Sequence, residues 1–81
     1  MFFSDPNLKE NVEEVGEIGD LKVYKWDWKP ETKGTLVELC GTVGFMADEV
    51  KKLYPMFVGV FGGFDVIDYE KLLNHLEVKY A

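Results

Sequence analysis

Cysteine, histidine and long apolar runs are scarce in this chain of 81 residues, which has one cysteine and one histidine. The single cysteine, Cys40, excludes an internal disulfide and a cysteine-built zinc or iron–sulfur site within the chain. No segment has the roughly 20 apolar residues that span a bilayer. The first residues lack the basic start and apolar run of a signal peptide. We therefore expect no membrane contact and a reducing, cytoplasm-like compartment.

Basic charge is also in short supply. Fifteen acidic residues against nine basic ones give a net charge of −6. Such a balance is poorly suited to neutralising nucleic-acid phosphates or to binding anionic membranes, so we expect neither partner. Apolar residues make up 47% of the chain, which is typical of a folded domain. A core this small is marginal, and a partner subunit often supports such folds.

Alternating apolar residues predict most of the strands. Leu21–Trp28 has high β propensity and follows the turn residues Gly19 and Asp20. We predict further strands at Thr35–Val43, with a bend or bulge at its glycine, and at the apolar run Met56–Phe61. The alternation at Leu76–Tyr80 predicts a last strand.

Other segments are ambiguous or helical. Asn11–Ile18 has some helical spacing, but its glycine favours extended chain after Glu14. Residues 45–54 fit either a short amphipathic helix or a long hairpin loop, ended by Pro55. Asp68–His75 is typical of one or two helical turns, with the aspartate as N-cap.

Together these elements predict a mainly β fold. The best fit is a small SH3-like barrel of four to five antiparallel strands with one or two short helical turns, since a barrel leaves no open edges. We expect a single domain, with an N-terminal arm and first irregular strand over 1–20 and the barrel over 21–81.

Several side chains allow both a functional and an ordinary structural interpretation. One strand carries an aromatic stripe, namely Tyr24, Trp26 and Trp28. These side chains would pack in the core or form a protein interface, and a stacking surface for nucleic acid is the least favoured alternative. Cys40 has no CxxC partner, so a half-buried structural thiol is favoured over a redox role. His75 lacks a paired nucleophile and fits a surface position.

The acidic residues before the first turn form a second possible interface. They would be a docking face for a basic partner or simply a solvated face; they are Glu10, Glu13, Glu14, Glu17 and Asp20. The pair Gly62 and Gly63 lacks the lysine and hydroxyl residue of a phosphate loop and indicates a turn.

Several short strand and turn motifs follow one another in a definite order over about residues 21–80. Their positions are Val23, Tyr24, Pro30, Glu31, Leu36, Leu39, Gly41, Val43, Pro55, Val58, Phe64, Leu76, Glu77 and Val78. This order resembles that of the variable (alpha) chain of ferredoxin–thioredoxin reductase.

The resemblance implies a non-catalytic subunit of an oxidoreductase complex. Its partner would be a Cys-rich catalytic chain with a [4Fe–4S] cluster, joined as a heterodimer, which passes electrons from ferredoxin to thioredoxin in the redox regulation of photosynthesis. The compartment would then be the cytoplasm or the plastid stroma. This chain itself would have no catalytic residue, cofactor or metal.

Contact with that partner is expected at five aromatic residues, namely Tyr24, Trp26, Trp28, Phe45 and Phe57. The alternative function is a free-standing acidic protein-binding module or inhibitor of another protein, whose binding would weaken steeply with salt.

Overall fold

The protein is a β-rich domain in which a computed structural model describes residues 2–80. Six strands occur in chain order with two α-helices, and four short 3-10 turns connect them. The strands are β1 (Phe2–Phe3), β2 (Lys9–Ile18), β3 (Leu21–Trp28), β4 (Val43–Gly44), β5 (Val58–Phe61) and β6 (Phe64–Ile67). The helices are α1 (Ala47–Leu53) and α2 (Tyr69–Lys79), and the 3-10 turns are Pro6–Leu8, Pro30–Thr32, Leu36–Leu39 and Pro55–Phe57.

The strands form two separate three-stranded antiparallel sheets. One has the order β1-β6-β5 and the other β2-β3-β4. The long hairpin β2–β3 turns at Gly19, whose φ of 61° is one that glycine adopts without strain. Its register shifts twice, between Glu10 and Glu13 and between Glu14 and Gly16. These bulges twist β2 away from a flat geometry.

The second hairpin, β5–β6, has a two-residue turn of glycines. Gly62 and Gly63 both have positive φ, 60° and 83°, which is the requirement of the tight turn that matches strand twist. Phe61 therefore pairs with Phe64, and the register continues without a bulge to Val58 opposite Ile67. β1 adds a short third strand on the other side of β6.

Local signals set both helix ends. The side chain of Asp68 accepts a hydrogen bond from the backbone N–H of Lys71 at 3.2 Å and caps α2, as predicted. In α1, Asp48 and Glu49 lie in the first turn and two lysines in the last, which suits the helix dipole. The open choice at residues 45–54 is thus resolved as a helix that ends before Pro55.

The core lies between α1, α2 and buried residues of both sheets. Its buried members are Leu21, Phe45, Ala47, Val50, Tyr54, Ile67, Leu72 and Leu76. Tyr69 joins the two sheets at this core. Its hydroxyl accepts from the N–H of Phe45 at 2.9 Å, its ring stacks on the Phe45 ring, and it shares a hydrogen bond of 3.1 Å with Ser4.

The predicted class, a small mainly β domain, is confirmed, but the SH3-like barrel is not closed. Two sheets of three strands stand in its place, with six strands rather than four or five in the described residues. The helical part exceeds one or two short turns, since α2 alone has 11 residues. The division at residue 20 falls in the β2–β3 turn and stays a prediction.

The strand predicted at Thr35–Val43 is wrong. Only its last residue pairs, as part of β4, while Leu36–Leu39 is a 3-10 turn. Local hydrogen bonds compete with strand pairing here. The hydroxyl of Thr35 donates to the carbonyl of Thr32, and the carboxylate of Glu38 accepts from the N–H of Gly34.

The strand predicted at Leu76–Tyr80 is also wrong, because α2 continues through Lys79. Leu72 and Leu76 are buried one helical turn apart, at 0% and 2% exposure. Val78, which should share the buried face of a strand with Leu76, is 82% exposed. Helical packing of the two leucines therefore prevails over the alternating pattern.

The lengths and composition of the helices bear on the prediction that no segment spans a bilayer. Between Phe2 and Tyr80, neither is long and apolar enough to cross a bilayer.

Replacing Gly44 by alanine is expected to destabilise the protein by about 1–3 kcal/mol. A Cβ atom at Gly44 would overlap the Tyr69 hydroxyl and lie 3.1 Å from the ring carbon that bears it. Because that hydroxyl joins the two sheets, it has little freedom to move away. Urea unfolding followed by circular dichroism measures the change.

Gly41→Ala is the matched control, since nothing lies within 4 Å of its added Cβ. We expect its free energy of unfolding to stay within about 0.5 kcal/mol of the parent value. Equal losses in both variants would contradict the proposed close approach at Gly44.

Candidate docking groove

An open apolar groove runs along one side of the molecule. Three adjoining hollows of about 310, 380 and 470 Å³ share Phe3 as a lining residue. Leu36, Cys40 and Phe61 each line two of them. We call this surface the Phe3 groove. An exposed apolar surface of this extent is typical of an interaction site.

The strand wall of the Phe3 groove comes from the sheet β1-β6-β5. Phe3 packs edge-to-face on Phe61, with ring centroids 5.8 Å apart. Phe3 is half-buried, whereas Phe61 is 59% exposed. Aromatic rings held in this way present a large apolar area at low entropic cost.

The opposite wall is the turn Leu36–Leu39. Val37 anchors the turn in the core at 6% exposure, and this leaves Leu36 outside at 63%. The groove is therefore apolar on both sides and can bind another apolar surface by excluding water.

Charge is almost absent from the Phe3 groove. Among the described residues that line the three hollows, Glu31 alone is charged. The groove thus presents an apolar floor with one acidic group, and this favours an apolar ligand with a basic end.

Two of the five aromatic residues predicted at an interface are buried. Trp26 is 4% exposed and Phe45 is 2% exposed. A partner would reach them only after this packing opened. Their burial agrees with the core interpretation of the aromatic stripe, although Trp26 also lines one hollow of the Phe3 groove.

The other three aromatic residues are half-buried. Tyr24 donates a hydrogen bond of 2.5 Å to Glu49, and this bond, with burial, raises the pKa of Tyr24 to about 12. Trp28 packs edge-on to Trp26 and donates to the carbonyl of Cys40 at 3.3 Å. Phe57 packs against the core. None of the three lines the Phe3 groove, and their contact with a partner stays a prediction.

Lys9 is a buried cation behind the groove. Its ammonium lies 3.7 Å from the ring centroid of Trp26 and donates to the carbonyl of Phe45 at 3.2 Å. Burial lowers the pKa of Lys9 to about 7, and the carboxylates of Asp48 and Asp5 offset part of that effect. The cation–π contact and the carbonyl replace some of the lost hydration.

Trp26 also carries an unsatisfied donor. Its indole N–H is buried and has no acceptor among residues 2–80. Such a group costs about 1–3 kcal/mol when it stays unpaired.

The remaining candidate residues take ordinary positions. Cys40 is a half-buried free thiol, 3.9 Å from the carbonyl of Leu36. His75 is exposed and lies edge-on to the ring of Tyr54, as the surface interpretation predicted. Within the described residues, no three His, Cys, Asp or Glu side chains converge as a metal site does. That the chain holds no cofactor stays a prediction.

The acidic residues of β2 are solvated. Every residue from Glu10 to Ile18 is exposed. Glu13 pairs with Lys25 at 3.2 Å and Glu14 with Lys22 at 3.3 Å, across the hairpin. Exposed pairs of this kind contribute little to stability, so the strand mainly displays negative charge.

Sequence reasoning missed the groove residues Phe3, Leu36 and Phe61 as a site. The sequence predicts a strand for the run that contains Leu36 and a buried strand for the run that contains Phe61, because apolar residues in a row usually signal burial. The signal available in the sequence was the number of apolar residues, which exceeds what so short a chain can bury.

Comparison with known proteins identifies one family. The family model of Peptidase_S74, described as chaperone of endosialidase, matches residues 4–59. No curated protein and no solved structure matches the chain.

The resemblance to the ferredoxin–thioredoxin reductase variable chain is therefore wrong. So are the Cys-rich catalytic partner, the link to ferredoxin and thioredoxin, and the role in photosynthetic redox regulation that it implied. The motifs that suggested it were common strand and turn signatures. Three of the positions, Leu76, Glu77 and Val78, lie in α2 rather than in a strand.

The family name also contains the word peptidase, and Ser4 is the one serine of the sequence. Ser4 is 1% exposed, and its hydroxyl lies 3.1 Å from that of Tyr69. A hydroxyl held between a core tyrosine and a sheet has no access to a substrate. The geometry therefore assigns no nucleophilic role to Ser4.

The free energy of unfolding should rise with pH between about 7 and 9. The folded-state pKa of Lys9 is about 7, against 10.5 when unfolded. The unfolded state therefore binds more protons in this window, and the sign of linkage makes stability increase with pH. The rise should not exceed about 3 kcal/mol. Urea unfolding at several pH values measures it.

Lys9→Met is the control, because it removes the titrating amine and keeps the apolar stem. Its unfolding free energy should be flatter over the same range. The pKa values of Tyr24, Tyr54, Tyr69 and Lys79 are all raised, so these groups act only above that window. If the unfolding free energies of parent and variant changed with pH in parallel, Lys9 would not be the source of the pH dependence.

Proposed function

The chain belongs to the chaperone-of-endosialidase family, and on this premise we propose that it is a protein-binding module of chaperone type. Its ligand would be a segment of another polypeptide, and the family description points to an endosialidase as that polypeptide. This function corresponds to the protein-binding alternative expected from the sequence rather than to an oxidoreductase subunit.

The observation that supports this proposal is the Phe3 groove. Leu36 and Phe61 are 63% and 59% exposed on facing walls. Fully covering such side chains stabilises a complex by about 1.5–3 kcal/mol each, so the portion still exposed here contributes roughly half of that or more. A chaperone must bind apolar segments that its client has not yet buried, and an exposed apolar groove provides this.

The acidic face of β2 is a second surface to consider. Its net charge would attract a basic client over a distance and increase the association rate. Its exposed apolar side chains, Val12, Val15 and Ile18, are separated along the strand by glutamates, which are solvated and partly paired. We therefore assign affinity to the groove and, at most, electrostatic steering to β2.

The double variant Leu36→Ser/Phe61→Ser should bind an unfolded client about tenfold or more weakly, because it removes apolar area from both walls. The assay dilutes urea-unfolded endosialidase into buffer and records light scattering with increasing amounts of the chain. The parent chain should suppress scattering at lower concentration than the double variant.

Val78→Ser is the matched control, since Val78 is 82% exposed on α2 and lines none of the three hollows. It should suppress scattering as the parent does. Scattering that the parent chain does not reduce at any ratio would refute the chaperone role.

Salt should affect this binding only weakly. Apolar contacts are insensitive to moderate ionic strength, whereas exposed charge pairs are screened. Raising the salt tenfold should change the affinity for the client by less than about threefold. A loss of a hundredfold would instead place binding on the acidic face of β2.

A further inference from the structure

The four sheet edges of this protein differ in how well they are protected. Edges β1 and β4 have only two residues each. Edge β2 is long, but it carries four glutamates and two bulges. Short length, charge and bulges are the usual devices that prevent a strand from pairing with another chain.

Edge β5 has none of these devices. Its four residues, Val58–Phe61, keep a regular register with β6. No charged residue occurs between Met56 and Phe64, and no proline lies within the strand. The side chain of Val60 is 69% exposed. Such an edge is a template for an added strand.

The turn geometry determines which backbone groups face outward. Phe61 and Phe64 flank a two-residue turn, so they exchange hydrogen bonds with each other. Alternation along the strand then directs the N–H and carbonyl of Val60 away from β6. The carbonyl of Val58 points the same way, while its N–H is bonded to the carbonyl of Pro55. Three backbone groups are thus available in one row.

We propose that β5 binds its client by strand addition, with an extended segment pairing along Val58–Val60 while its side chains enter the Phe3 groove. This inference rests on the proposed function and specifies how that site recognises its ligand. Phe61 connects the free edge of β5 with the groove, because it is the last residue of β5 and also lines the groove. Backbone pairing does not depend on the sequence of the client segment. Every second side chain of that segment enters the groove, and this selects for segments with apolar residues at those positions.

The occupant is an extended apolar segment with a basic residue at one end. The apolar part matches the groove walls, and the basic residue matches Glu31, its one charged lining residue. A second copy of this chain fits less well. Its net charge of −6 opposes self-association, and its own β5 brings no basic residue to Glu31.

The test uses a fluorescent eight-residue probe peptide of alternating valine and threonine with two lysines at one end. Fluorescence anisotropy gives its affinity for the full chain. Val60→Pro removes the outward N–H at a position where an edge strand tolerates proline, and should weaken binding about tenfold. The same peptide with N-methyl groups on alternate amides should bind the parent chain more weakly by a similar factor, and this comparison needs no change to the protein.

Val15→Pro is the matched control on the protected edge. Val15 lies in a bulge of β2, where proline is tolerated, and this variant should bind the probe like the parent. Thermal unfolding confirms that both proline variants fold. If Val60→Pro does not fold, the N-methylated peptide still decides the question.

The outcomes separate this inference from the proposed function. If Leu36→Ser/Phe61→Ser weakens binding while Val60→Pro and N-methylation do not, the groove binds clients without strand addition and the inference is overturned. The inference is also overturned if the unfolded client binds but the probe peptide does not. A concentration-dependent dimer that Val60→Pro abolishes would assign β5 to a second copy and also overturn it. If neither client nor probe binds, both proposals fail.

Discussion

The hydroxyl of Tyr69 is the point at which the two sheets are tied together. It contacts Ser4, which follows β1, and the N–H of Phe45, which follows β4, while its ring stacks on Phe45. A backbone hydrogen bond of 2.9 Å from Ala47 to the carbonyl of Ser4 reinforces the same junction. The absence of a side chain at Gly44 leaves the space that the hydroxyl occupies.

This junction also positions the groove. Because Ser4 is fixed, β1 stays paired with β6 and Phe3 stays against Phe61. The carboxylate of Asp5 adds to this by accepting from the N–H of Asp65 at 3.1 Å. The strand wall of the apolar surface that we assign to client binding is therefore held in place, although its residues are far apart in sequence. Rigid presentation reduces the entropy lost on binding.

The parts of the fold that depend on local signals were predictable. Alternation gave β3, paired glycines gave the β5–β6 turn, and Asp68 gave the start of α2. The parts that depend on burial were not. Apolar residues at Leu36 and Val78 suggested strands, yet each is exposed, because two helices and two small sheets enclose too little volume to cover them. The groove was missed for the same reason. The burial of Trp26 agrees with the core interpretation of the aromatic stripe.

Lys9 has a practical consequence for studying this protein. With 4% of its surface exposed, it is screened from reagents that modify amines, whereas lysines such as Lys22 and Lys25 are open to them. Its rate of acylation is governed by how often the contact with Trp26 and Phe45 breaks transiently. Mass spectrometry of that single amine would therefore report the rate at which the core beside the Phe3 groove opens transiently, with no probe added.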